Sequence, residues 1–362
     1  MSEVNRRGWC ALGAVLLASA AACGDDIRPQ RPDAAPGTPD AAPEPDAAID
    51  APPVNPLDKL AGTGLCANPE CTQFSVGVRE YVPRFQLWDD AATKRRWIYL
   101  PPGTKIDTTD MDYWVFPVGT KLWKEFSRDG TRVETRLLMK QIADDTTPGA
   151  WFYATYQWNQ AQNDAMVVTS GVRDANGTQH DIPSRSDCRA CHDRLQPTRI
   201  LGFGAIQLDY DAPAGMPDLD SLIADGLLSA PPAGGSPHFP LPGTAVDTTA
   251  LGYLHANCGH CHNPTSDVAM GTSPLDLRLR ASMLATVADT PAYKTAVGID
   301  ASIPYTENGQ MYTKLIVPQD PQISAVISRM NTTMELRFMP AVAVETVDPA
   351  GQQALVAWIN SL

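Results

Sequence analysis

No apolar run in the 362 residues reaches the roughly 20 positions that a bilayer-crossing helix needs; the stretch from Trp9 to Ala22 falls short. Positive charge is also in deficit, with 28 Lys and Arg against 41 Asp and Glu and a formal net charge of -13. Removing Glu3, Arg6 and Arg7 with a leader takes away a net +1, so the remainder stands near -14. That balance excludes nucleic acid and anionic lipid as main partners and suits a basic redox partner. A phosphate-binding glycine loop, a nucleotide fingerprint and a Ser/His/Asp constellation are all missing. Large apolar residues are scarce from Gly24 to Pro56, where Pro, Asp and Ala dominate. Such a segment cannot bury enough surface to offset its ordering entropy, and proline makes it an extended spacer.

What is present begins with an export signal over residues 1–23. Arg6 and Arg7 precede the apolar run, which ends Ala20-Ala21-Ala22-Cys23. This ending is similar to a bacterial lipoprotein processing site, where the cysteine takes a diacylglycerol and becomes the new N-terminus. Ala20 stands where leucine is usual, so ordinary cleavage after a small residue stays open. A spacer over residues 24–60 directly after a lipidated Cys23 would hold the folded part off a membrane, at the periplasm or cell surface.

Two short runs carry chemistry: Cys188-Arg-Ala-Cys191-His192 and Cys258-Gly-His-Cys261-His262. Two cysteines separated by two residues and followed at once by histidine read as a covalent haem c attachment site. Each thiol adds to one vinyl group of the porphyrin, and the histidine binds the iron as proximal ligand. Two haems, on Cys188, Cys191 and on Cys258, Cys261, with His192 and His262 as axial ligands, are expected. A dithiol oxidoreductase would need a preceding strand, whereas Leu251, Tyr253, Leu254 and His255 fall at helical spacing. A zinc ribbon would need the cysteine pairs much closer together. In an oxidising compartment the remaining Cys66 and Cys71 read as a small disulfide.

From Tyr81 to Ile182 the pattern has period two, punctuated by turns such as Pro101-Pro-Gly103 and Asp129-Gly130. It predicts strands at Arg96–Leu100, Tyr113–Phe116, Lys121–Phe126, Val133–Ile142, Ala150–Trp158 and Met166–Gly171. The fold expected is α+β and multidomain. An antiparallel β-sandwich or barrel-like domain over residues 61–183 would precede mainly α-helical, cytochrome c-like haem segments over residues 184–243 and 244–362. The aromatic load of the β region reads first as sheet core and second as a glycan-binding platform. Helices are predicted from Leu219 to Leu228, up to Cys258, from Pro321 to Met330, and from Pro349 to the end, where Leu355, Trp358, Ile359 and Leu362 share a face. Tyr253 and Trp358 are candidate aromatic contacts where the helix before Cys258 crosses the last one.

Met339, followed by Pro340 in a loop before the last helix, is the candidate sixth ligand of the second iron. For the first iron Met216, Met330 and His255 are all open, as is an empty sixth position.

With these runs in place, the chain resembles a family of exported bacterial dihaem c-type cytochromes with a β-rich N-terminal domain. The resemblance covers residues 80–362. It rests on Leu87-Trp-Asp-Asp-Ala-Ala-Thr through Pro-Gly-Thr104, Phe116-Pro-Val-Gly through Phe126, Val133 to Leu138, Tyr156 to Ala165, Leu201 to Leu208, Tyr253 to Pro264, Arg329-Met330 and Met339-Pro340. It implies one-electron transfer outside the cytoplasm between redox protein partners, without a defined substrate. A dihaem peroxidase-like enzyme with one open iron, and a glycan- or partner-binding β module coupled to haem, are the alternatives.

Overall fold

The computed structural model describes residues 55–193, 200–266, 274–332, 338–340 and 344–362. Six strands pair antiparallel in chain order: β1 (Val78–Glu80), β2 (Thr93–Tyr99), β3 (Lys121–Arg128), β4 (Thr131–Lys140), β5 (Trp151–Trp158) and β6 (Ala165–Val168). Asp129 and Gly130, both at positive φ, make the two-residue turn between β3 and β4 that such a hairpin demands. The period-two alternation gives the sheet two faces. Trp97, Trp123, Leu137, Tyr156 and Trp158 lie on one and are covered by Leu60 and Leu65 of the preceding segment. Ile98, Leu122, Leu138 and Tyr153 lie on the other, under Phe203, Leu208, Leu219 and Leu222.

The sheet is therefore a single open meander and not the sandwich or barrel expected. Alternating strands with regular turns specify antiparallel neighbours, but not whether a second sheet or irregular chain covers each face. Here irregular chain and short helices do so. Tyr113–Phe116 contributes only an isolated bridge, Val115 with Asp107. The aromatic stripe is core: Trp97, Trp123, Phe126, Tyr156 and Trp158 are each at most 1 % exposed.

The expectation of mainly α-helical haem segments is also corrected. After α1 (Arg185–His192), α2 (Ala205–Leu208) and α3 (Leu219–Ala224), only α4 (Ala245–Asn257) and α7 (Pro349–Ser361) reach thirteen residues. Between them lie α5 (Pro291–Ala296), a hairpin of β7 (Asp300–Glu307) with β8 (Gln310–Lys314), and α6 (Ala325–Asn331). The helix predicted from Pro321 breaks into a 3-10 turn, Pro321–Ile323, before α6. Apolar periodicity alone did not reveal how much of this region is turn and hairpin. From Pro53 to Leu362 the chain forms one compact unit.

α4 and α7 pack against each other at the second core, with Leu251, Leu254, Leu355, Trp358 and Ile359 buried. The Trp358 indole N–H donates to Asp247 Oδ1 at 3.1 Å. A Cβ on Gly351 would sit 2.0 Å from the Tyr253 ring, so glycine is what lets the helices approach. Gly351→Ala should therefore destabilise the protein by about 1–3 kcal/mol through overpacking, despite alanine's gain in helix propensity of roughly 1 kcal/mol. A lowered urea midpoint with unchanged slope checks this; a raised midpoint contradicts it.

Candidate haem attachment sites

The first motif is placed by a cap. Ser184 Oγ accepts the Asp187 N–H at 3.3 Å and the Asp187 carboxylate accepts the Ser184 N–H at 2.9 Å, a reciprocal box that starts α1. Cys188 then falls at the middle of that helix and Cys191 and His192 at its end, and the helix packs on β5. Cys188 is half-buried against the core of the sheet. The Tyr153 ring lies 5.7 Å from the His192 ring, and its hydroxyl donates to Asp193 Oδ1 at 2.9 Å.

The second motif closes α4. Cys258 is its C-cap, donating to the Leu254 carbonyl at 2.9 Å, and the Cys261 and His262 N–H groups both turn back onto the Cys258 carbonyl, at 3.1 and 2.9 Å. A Cβ on Gly259 would meet the Arg278 backbone nitrogen at 2.9 Å, so the motif's second position needs glycine. The buried Asn263 carboxamide donates to the Gly259 and His260 carbonyls at 2.9 and 3.0 Å and fixes the turn. The Met339 N–H donates to the Arg329 carbonyl at 2.9 Å, while the Arg329 charge reaches His262.

The fold also brings the motifs to each other. Burial pushes the Cys261 thiol up to about 11, and neighbouring Cys191 adds to the rise. His260 is pushed down to about 3 by burial, then by Arg278, and also feels His192 and Lys124.

The donor set fits haem. All four motif thiols are free, whereas Cys66 and Cys71 are bonded to each other. Histidine follows each pair, and the His262 Nδ1 is buried with no hydrogen-bond partner among the described residues. A redox dithiol needs a depressed thiol pKa, yet burial pushes Cys258 up to about 12. Among the described residues no three His, Cys, Asp or Glu side chains come together as a metal-ion cage.

The remaining candidates separate. Met330 is buried on α6 in the core of α4 and α7, away from the core that Cys188 joins. Met216 sits half-buried in a turn before α3, its N–H on the Pro213 carbonyl at 2.9 Å. Buried His255 accepts the Leu279 N–H on Nδ1 at 3.1 Å, which in the neutral ring places the proton on Nε2 and removes the lone pair that iron would need there. His255 is thereby argued against as an iron ligand. Cys23 lies outside the described residues.

Sequence reasoning missed the charged cluster beside the first motif. Glu134, fully buried, is bonded by Arg136 and by His180 Nε2, the latter at 2.7 Å, and Asp89 holds Lys94 at 3.0 Å and Lys124 at 3.1 Å. The only sequence signal was charge inside strands that otherwise read as core. Comparison with family models, curated proteins and solved structures gives no match to this chain.

Proposed function

We propose that the chain is an exported dihaem c-type cytochrome that passes single electrons between redox proteins. The observation that carries the reading is the presence of two complete Cys-X-X-Cys-His motifs, each on its own support, with all four thiols free in a chain whose other described cysteine pair is closed. Cys188, Cys191 and His192 would hold one haem; Cys258, Cys261, His262 and Met339 would hold the other. When bound, the haem supplies a one-electron iron couple. The polypeptide holds His192 at the end of the capped helix α1 and His262 in the turn that follows α4, and ties the Met339 backbone to that of Arg329. A lipid on Cys23 and the spacer behind it would display this body in the periplasm or at the cell surface.

Made in a host that exports and matures c-type cytochromes, the protein will be red, and its intact mass will exceed that of the processed chain by two haems. Its ferrous spectrum will show thioether-linked haem. A colourless product at bare polypeptide mass, allowing for a lipid, overturns the reading. Two ferric haems inert to cyanide fit a carrier, while cyanide uptake at one iron would favour the peroxidase-like alternative.

A further inference from the structure

On the sheet face that carries α1, register sets Arg96 of β2 opposite Lys124 of β3, Lys124 opposite Arg136 of β4, and Arg136 opposite Thr155 of β5. Three cations in direct cross-strand succession repel one another, and such a row persists only if something compensates it. Asp89 and Glu134 compensate in part. Counting Lys94, which also binds Asp89, four cations face two carboxylates and leave a surplus of two positive charges. Arg96 shows the shortfall most plainly. It is 4 % exposed and makes no hydrogen bond or ion pair through its guanidinium among the described residues. Asp89, the carboxylate whose charge reaches Arg96, is shared with Lys94 and Lys124, and a cation row so thinly balanced favours a further anion. Lys124 points the same way: burial and the neighbouring cations push its ammonium down to about 7, against the pull of Asp89.

We infer that this row seats the two propionate carboxylates of the haem joined at Cys188 and Cys191. The inference rests on the haem reading above. Cys188 lies within reach of the Arg136 charge, and Arg96 lies two strands further, roughly 10 Å at the spacing of strands in a sheet. A porphyrin carries its propionates on the edge away from its thioether-forming vinyl groups. Anchored at the Arg136 end, it would bring two carboxylates to the Arg96 end, matching the surplus charge in number and in place.

The test uses the matured protein with its haems counted by intact mass. Arg96→Gln should lower one of the two midpoint potentials, because a cation beside the propionates disfavours the ferric state. Arg96→Lys should hold that potential near the wild-type value, and Lys124→Gln should lower the same one. Two haems present with both potentials unmoved by either Gln variant overturns the seat alone and leaves the haem reading intact. A fall in Arg96→Lys as large as in Arg96→Gln overturns it too, since shape and not charge would then matter. Should the variants fail to accumulate, the propionate bending bands in the wild-type resonance Raman spectrum decide: two carboxylates bonded to protein cations support the seat, and two solvated ones overturn it. Wild-type protein without haem removes the seat together with its premise.

Discussion

A chain carrying Cys258→Ala and Cys261→Ala will keep one haem and half the Soret absorbance, and the reciprocal pair Cys188→Ala and Cys191→Ala will keep the other. Each motif has its own histidine and its own support, α1 on the sheet for the first and the turn closing α4 for the second. Attachment at one therefore does not require attachment at the other. Intact mass reads the count directly, and loss of both haems from either pair of substitutions would contradict two independent sites. In the chain that keeps only the second haem, Met339→Leu will remove a thioether that favours ferrous iron. Its potential should drop by a sizeable fraction of the roughly 0.8 V range commanded by axial ligation. An unchanged potential there would mean that Met339 is not the sixth ligand.

Glu134→Ala should cost about 3–5 kcal/mol, because it strands Arg136 and His180 beside a buried void of charge. Glu134→Gln should cost less, as it keeps the shape and one acceptor. Equilibrium urea unfolding measures both, and a cost for Glu134→Ala below about 1 kcal/mol would place the pair among weakly contributing surface bridges. The acid side carries a matching signature. Burial alone would raise the Glu134 carboxyl, but the Arg136 charge and the His180 bond prevail and hold it below its ordinary 4.5. A depressed folded value means that its stabilisation is complete above 4.5 and disappears as pH falls through the folded value. The wild type should lose stability on that descent, and Glu134→Gln should lose less.

The two motifs on which covalent attachment is proposed were legible because each is defined by spacing within five consecutive residues. Cys188 to His192 and Cys258 to His262 would read alike in any fold. Some helix ends were legible for the same local reason: Asp218 and Asp348 cap α3 and α7, and Cys258 ends α4, whereas α3, expected to reach Leu228, stops at Ala224. The number of sheets was not, since what covers Trp97 and Trp123 is a segment whose own sequence has no regular period. The cation row was least legible of all. Arg96, Lys124 and Arg136 stand far apart in sequence and become neighbours only once the register of three strands is fixed, and a one-residue slip would turn each to the opposite face.

Cys191 and Cys261 lie within electrostatic reach of each other, which bears on how the molecule fills with electrons. On the proposed assignment, whichever iron is reduced first alters the field at its neighbour, so the two steps belong to the pair and not to either centre. A spectroelectrochemical titration should then depart from the sum of two independent Nernst curves. The second electron arrives at a lower potential than that site would show alone, which lets one small body release its charges at two distinct driving forces.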